Sequence, residues 1–142
     1  KRPLPSGQWT KKAVALLCIA FLILGFVFAY FVSLWTLIFL VATLVMYNGL
    51  YTMFWKRRWA FGAVPGAIPG SMSILVGYGA NGQQWSMGCF YLFILMFLWQ
   101  MPHFWALAIR YQKDYEAANI PVLPAVIGEE RTLYHMGLYV FA

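Results

Sequence analysis

The chain has 142 residues, of which 63% are hydrophobic and only 10% are charged. Soluble domains carry about 25% charge, so this composition excludes an ordinary soluble domain and points to membrane helices. The net charge of +6 is accounted for by short basic runs beside apolar spans and requires no nucleic acid.

In chain order, the first apolar span covers about 13–31 and carries no charge. The second covers about 34–54, and the third, about 59–78, is rich in glycine and proline. The fourth covers about 85–111, and a fifth, truncated one covers 132–142. Each of the first four has roughly 20 residues, enough to cross a hydrocarbon core of about 30 Å. Continuous apolar runs favour helices over a barrel, whose strands would alternate. The expected fold is therefore all-α, a multi-pass transmembrane helical bundle forming a single domain over 1–142. The chain starts at Lys1 and stops at Ala142 inside an apolar run, so an internal fragment of a longer protein is expected. Lys1-Arg2-Pro3-Leu4-Pro5 does not read as a signal peptide. Cys18 and Cys89 both lie in apolar spans and read as free thiols.

The charges give an orientation. Lys1, Arg2, Lys11 and Lys12 precede the first span, and Lys56, Arg57 and Arg58 separate the second from the third. Arg110, Lys113, Asp114, Glu116, Glu129, Glu130 and Arg131 lie at or beyond the end of the fourth. The turns at Val32-Ser33 and at 79–84 carry none. Threading the spans alternately puts every charge on one side, which the positive-inside rule makes cytoplasmic. The expected location is the bacterial cytoplasmic (inner) membrane. Trp9, Trp35, Trp55, Trp59 and Trp85 fall near span ends, as an aromatic belt requires.

Span three repeats Gly62, Gly66 and Gly70 every fourth residue, with Ala63, Ala67 and Ser71 as a second small row. Such a surface lets a neighbouring helix approach closely. Pro65 and Pro69 each remove a backbone donor. A membrane helix so weakened is tolerated where protein or a polar cavity satisfies the freed groups.

Span four carries the candidate site. On a helical wheel Gln100, His103, Leu107, Arg110 and Asp114 share an arc of roughly 80°. Polar groups within a span line an interior or a wet cavity rather than lipid. Each has a plain alternative: an interhelical hydrogen bond for Gln100 and His103, and a snorkelling anchor for Arg110. Asp114 resists that reading, because a carboxylate near a helix C-terminus opposes the helix dipole. Carboxylate oxygens suit Mg²⁺. A carboxylate-bound Mg²⁺ among lysines and arginines is also what a departing diphosphate needs. In a greasy cavity this suggests chemistry on an isoprenoid diphosphate.

The words of the sequence carry a resemblance. RPLPSG (2–7), GAVPGAIP (62–69), LWQMPHFWALAIRY (98–111) and KDYEAANIPVLP (113–124) resemble segments found in the same order in the protoheme IX farnesyltransferases. These form a branch of the UbiA-type intramembrane prenyltransferases, and the resemblance covers nearly the whole chain. It implies a bundle of about nine helices, each crossing the bilayer, around a central cavity. It also implies transfer of a farnesyl group from farnesyl diphosphate to a vinyl group of haem B, giving haem O and diphosphate. Mg²⁺ bound with diphosphate is the implied cofactor. Farnesyl diphosphate, haem B and the lipid bilayer are the implied partners, with a haem A synthase or terminal oxidase assembly beyond them.

Position by position, the resemblance makes Asp114 the metal or diphosphate ligand of the second of two acidic motifs. The first motif would precede Lys1. Arg2, Lys56 and Arg57 match basic positions near the diphosphate. Arg110 would contact diphosphate or a haem propionate, and His103 would contact haem or handle a proton. Gln100 and Trp99 would line the cavity. Two departures stand out. The fourth residue after Asp114 is Ala118, where many relatives carry a second aspartate, and Pro69 is followed by Gly70 rather than a second proline. Two competing readings remain: a related enzyme acting on an aromatic or quinone precursor, and a non-catalytic membrane haem-binding module using His103 and His135.

Overall fold

A computed structural model describes residue 4 and residues 6–82 and 86–142. Arg2 and Trp85 lie outside the described residues, which contain helices and no strand.

Helix α1 (Lys11–Val32) starts at Thr10, whose hydroxyl accepts from the Ala13 amide at 3.2 Å. Ala29 is its one buried residue, so its apolar surface is left for lipid. The turn to helix α2 (Leu34–Arg58) needs only Ser33, an extended residue. The Ser33 N–H bonds to the Ala29 carbonyl and closes α1, while its hydroxyl accepts from the Thr36 amide and opens α2. Without a charge to solvate, so tight a turn can sit against the apolar edge.

Helix α2 is not uniform. Leu34–Leu44 is α-helical, Val45–Trp55 is π-helical, and Lys56–Arg58 is α-helical again. In the wide stretch the Thr52 hydroxyl donates to the Tyr47 carbonyl, five residues back, at 2.8 Å. Such a π segment is rare and clusters at functional sites. Nothing in hydropathy foretells it. Trp59 is extended, and a 3₁₀ turn (Ala60–Gly62) leads into helix α3 (Ala63–Ala80).

Among the described residues four segments are long and apolar enough to cross a membrane: Lys11–Val32, Leu34–Arg58, Ala60–Ala80 and Met87–Arg110. The protein is an all-α, integral, multi-pass membrane protein. Helix α4 is Met87–Arg110, capped by Ser86, whose hydroxyl accepts from the Cys89 amide at 3.0 Å. Short helices α5 (Gln112–Ala117) and α6 (Leu123–Ile127) follow, then α7 (Glu129–Val140).

Helix α3 is the centre, packed on α2 along one side and α4 along the other. The two small rows divide that work. Among the glycines, a Cβ at Gly62 would lie 2.7 Å from the Trp55 carbonyl oxygen, and one at Gly66 would lie 2.5 Å from the Tyr51 ring. At Gly70 it would meet the Gln100 amide. In the second row, Ala63 and Ala67 pack with Met101, Trp105 and Leu123 in the main core. Lipid tails are as apolar as these side chains, so close packing and interhelical hydrogen bonds hold such helices together.

The charged loop is anchored to the same core. Asn119 has φ 52°, a left-handed conformation that asparagine tolerates better than most residues. It terminates α5 with paired bonds, Ile120 N–H to Tyr115 O at 3.0 Å and Asn119 N–H to Glu116 O at 3.0 Å. The chain thereby turns inward, and Val122, Leu123 and Pro124 are buried. The Ile-Pro-Val-Leu-Pro stretch is thus a plug under an otherwise polar loop.

Candidate active site

The end of α2, the start of α3 and the end of α4 meet at one end of the bundle, because α2 and α3 are antiparallel and α3 and α4 are antiparallel. Among the described residues two sizeable cavities open there, and the Lys56 side chain, half-buried, lines both, as well as a small crevice of about 10 Å³. The outer one, about 520 Å³, joins Lys56 to Asp114, Tyr111 and Tyr115. The inner one, about 280 Å³, joins Lys56 to Gln100, His103, Phe104, Tyr47 and Tyr51, over a floor of Gly66 and Ala67. A charged pocket thus borders an aromatic one, and a lysine stands between them.

Gln100 is a fixed part of the wall. Its Nε2 donates to Ser71 Oγ at 3.0 Å, to the Met96 carbonyl at 3.0 Å and to the Ala67 carbonyl at 3.3 Å. Ser71 Oγ in turn donates to Ala67 O at 2.9 Å. This network ties α3 to α4 beside Pro69, the proline inside α3. His103 is exposed and stacks on Trp99, with ring centroids 4.9 Å apart and planes 10° from parallel.

The wheel fails beyond Arg110. Tyr111 leaves helical geometry at φ −109° and ψ 24°, so α4 stops and α5 begins on a new axis. Asp114 therefore does not continue the Gln100–His103 stripe. It lies in the first turn of α5, where the helix dipole favours a carboxylate instead of opposing it. It is exposed and lines two openings, one with Lys56 and one with Arg110, Lys113 and Glu116. Arg110 is exposed, with its guanidinium 5.5 Å from the Tyr111 ring centre, and does not share the inner cavity with His103. Arg57 is exposed and lines none of the cavities that hold Lys56.

Among the described residues no group of three or more His, Cys, Asp or Glu side chains could hold a metal ion. Glu116 is tied to Gln112 Nε2 at 2.8 Å. Mg²⁺ is commonly held by one or two carboxylates together with substrate phosphates and water. Asp114 fits that arrangement and no closed protein cage.

His103 and His135 do not share a cavity. His135 packs edge-on to Phe61 at 5.4 Å and near Trp105 at 6.4 Å, while His103 faces the pockets of α4. The residues missed from sequence are Tyr47, Tyr51 and Tyr115. Tyr47, Tyr51 and Trp55 recur every fourth residue and lead to Lys56, a signal that was present. Only the π segment and Gly66 explain why Tyr51 is buried at the cavity wall.

A family model described as the UbiA prenyltransferase family matches residues 1–142. The chain belongs to that family. It is 48% identical to the protoheme IX farnesyltransferase of Bdellovibrio bacteriovorus over 98% of this chain and 48% of the relative. It is 39% identical to the protein of that name from Protochlamydia amoebophila, over 98% of this chain and 49% of the relative. With the one from Leptospira biflexa it shares 38% over 100% of this chain and 50% of the relative. The chain thus spans about half the length of the curated relatives it matches. No solved structure matches it.

Proposed function

We propose that the full-length protein transfers a farnesyl group from farnesyl diphosphate to a vinyl group of haem B, giving haem O and diphosphate. One observation carries this reading: Lys56 borders both the pocket of Asp114 and the aromatic pocket of His103. A diphosphate in the outer pocket would place its allylic carbon at the entrance of the inner one. The matched relatives are named for a farnesyl transfer to protoheme, which favours haem over a quinone precursor as acceptor.

Asp114 would provide the carboxylate for Mg²⁺-diphosphate, and that ion, when bound, neutralises the leaving group. Lys56 opposes the same charge in that pocket, with Arg57 adding to the local positive field. Gln100 keeps α3 and α4 at fixed spacing, so the inner pocket keeps its shape. Tyr47, Tyr51 and Phe104 exclude water there, which protects an electron-poor allylic carbon from hydrolysis. His103, on the α4 side of the inner pocket, would contact haem or accept the proton released when water completes the hydroxyethyl group. Arg110 would meet a haem propionate at the rim. The charged end lies on the cytoplasmic side of a bacterial inner membrane. Haem A synthase or an oxidase assembly would receive the product.

The test uses the full-length protein in membranes with haem B and farnesyl diphosphate. Haem O formation that is Mg²⁺-dependent and lost in Asp114→Ala is expected. Haem binding without any prenylated product would favour the haem-binding module. Prenylation of an aromatic acid but not of haem would favour the alternative acceptor.

A further inference from the structure

Gln100 lines the inner cavity from α4, as does His103. Its Nε2 faces the Met96 carbonyl at 3.0 Å, the Ala67 carbonyl at 3.3 Å and Ser71 Oγ at 3.0 Å. Carbonyls only accept, so the donor end of the amide has to face them and its oxygen is turned away. Ser71 agrees with that orientation. Its hydroxyl proton goes to the Ala67 carbonyl, which leaves its oxygen to accept from Gln100. Among the described residues no group donates to Gln100 Oε1. Gly70 provides the room for that oxygen, since a Cβ there would collide with it. Inside a membrane span an open acceptor is costly unless water or a ligand meets it.

We propose that Gln100 Oε1 holds the water that becomes the hydroxyl of the product. The proposal rests on the prenyl-transfer reading and gives the third reactant its place. In that reaction the terminal vinyl carbon bonds to the allylic carbon. The allylic C–O bond breaks, and its electron pair leaves with diphosphate. The inner vinyl carbon becomes electron-deficient and has two ways to recover. It takes a lone pair from water, which then sheds a proton, or the new CH₂ beside it loses a proton and an alkene forms. The two products differ by one water. A water already in place selects the first route.

His103 completes the arrangement. It lies three residues beyond Gln100, so their Cβ atoms stand roughly 5–6 Å apart on one face of α4. One water with a hydrogen bond of about 2.8 Å to each side chain bridges such a gap. Gln100 would accept one O–H, and His103 would take the other proton as the new C–O bond forms. The cavity, about 280 Å³, has room for a water of about 30 Å³ beside the reacting ends. A single pinned water is also compatible with aromatic walls that keep bulk water from the allylic carbon.

The test is the product ratio of the full-length enzyme supplied with haem B and farnesyl diphosphate, read by mass. Gln100→Met keeps the length of the side chain and removes the amide oxygen. It should lower the ratio of hydroxylated to dehydrated product at least tenfold. Gly70→Ala displaces the oxygen and should lower the same ratio several-fold. Ser71→Ala loosens only the nitrogen side of the network. It should lower the thermal midpoint and leave the ratio unchanged. A ratio counts only product formed, so a poorly folding variant still reports it. Hydroxylated product alone from Gln100→Met and Gly70→Ala would overturn the proposal, as would an equal shift in all three variants. No product of either kind from those two, with wild type active, would make Gln100 a packing residue and overturn it as well. Wild-type enzyme that prenylates no haem would bring down the transfer reading and this proposal with it.

Discussion

At the uncharged end of the bundle, the Ser33 hydroxyl donates to the Gly79 carbonyl at 2.6 Å and accepts from the Thr36 amide. Thr36 Oγ1 adds a longer contact of 3.5 Å to the Val76 carbonyl. At the charged end, Lys56, Arg57, Arg110 and Asp114 form no salt bridge among the described residues, although Lys56 and Asp114 share a cavity. One end commits its polar groups to joining helices, and the other leaves them facing space. In a bilayer the first arrangement serves folding, because unpaired polar groups there are costly. The second would suit the proposed diphosphate, a ligand that brings its own charge. Mutations should separate the two ends: activity without stability at one, stability before activity at the other.

The largest effect is expected at Asp114. Replacement by alanine in the full-length enzyme removes an exposed side chain that supports no packing, so the thermal midpoint should stay within a degree or two of wild type. Haem O formation should fall by about a hundredfold or more, the scale seen when one preorganised charge-stabilising group is lost. Equal losses of folding and activity would erase the proposed contrast. Next comes Lys56→Met. A loss of roughly tenfold to a hundredfold, with the KM for farnesyl diphosphate rising and Lys56→Arg recovering part of it, would mark a charge contact. A defect that arginine leaves untouched would make Lys56 a packing residue.

At the uncharged end, Gly79→Ala tests helix approach away from the ligand. Its Cβ would sit 3.0 Å from the Thr36 backbone nitrogen, and backbone cannot yield as a flexible side chain can. A destabilisation of about 1–3 kcal/mol follows from such overpacking, readable as a lower thermal midpoint in detergent. Ser33→Ala removes an N-cap and an interhelical bond together, and about 0.5–2 kcal/mol is the expected cost of the cap. Activity per folded molecule should stay unchanged. A fall in turnover at full folding would link the far end to the site.

The fold was legible because apolar length and charge segregation each pointed to the same crossings. Gly62, Gly66 and Ala67 could be read as approach surfaces from spacing alone. What each approaches could not, since Tyr51 reaches Gly66 only through a wide helical stretch that hydropathy does not encode. The candidate site was legible as a set of residue types but not as a line. His103 and Gln100 do share a cavity wall, while Arg110, the last residue of α4, lines another opening with Asp114, which lies past the break at Tyr111. A wheel assumes one axis, and one residue outside helical geometry is enough to void it. The plug from Ile120 to Pro124 was equally hidden, because its turn depends on the left-handed backbone of Asn119.

The smallest effect is expected at Arg57, and it bears on whether charge at this end acts by contact or by field. Arg57 is exposed beside Lys56 and lines none of its cavities. A charge that acts only through the field is screened over about 10 Å at 0.1 M salt. Arg57→Ala should therefore reduce kcat/KM no more than about threefold at low ionic strength, and the difference should vanish as salt rises. The Lys56→Met defect should persist at the same salt, since a half-buried charge is screened less. A salt-independent, tenfold loss at Arg57 would instead place its guanidinium on the diphosphate and remove the distinction between the two neighbours.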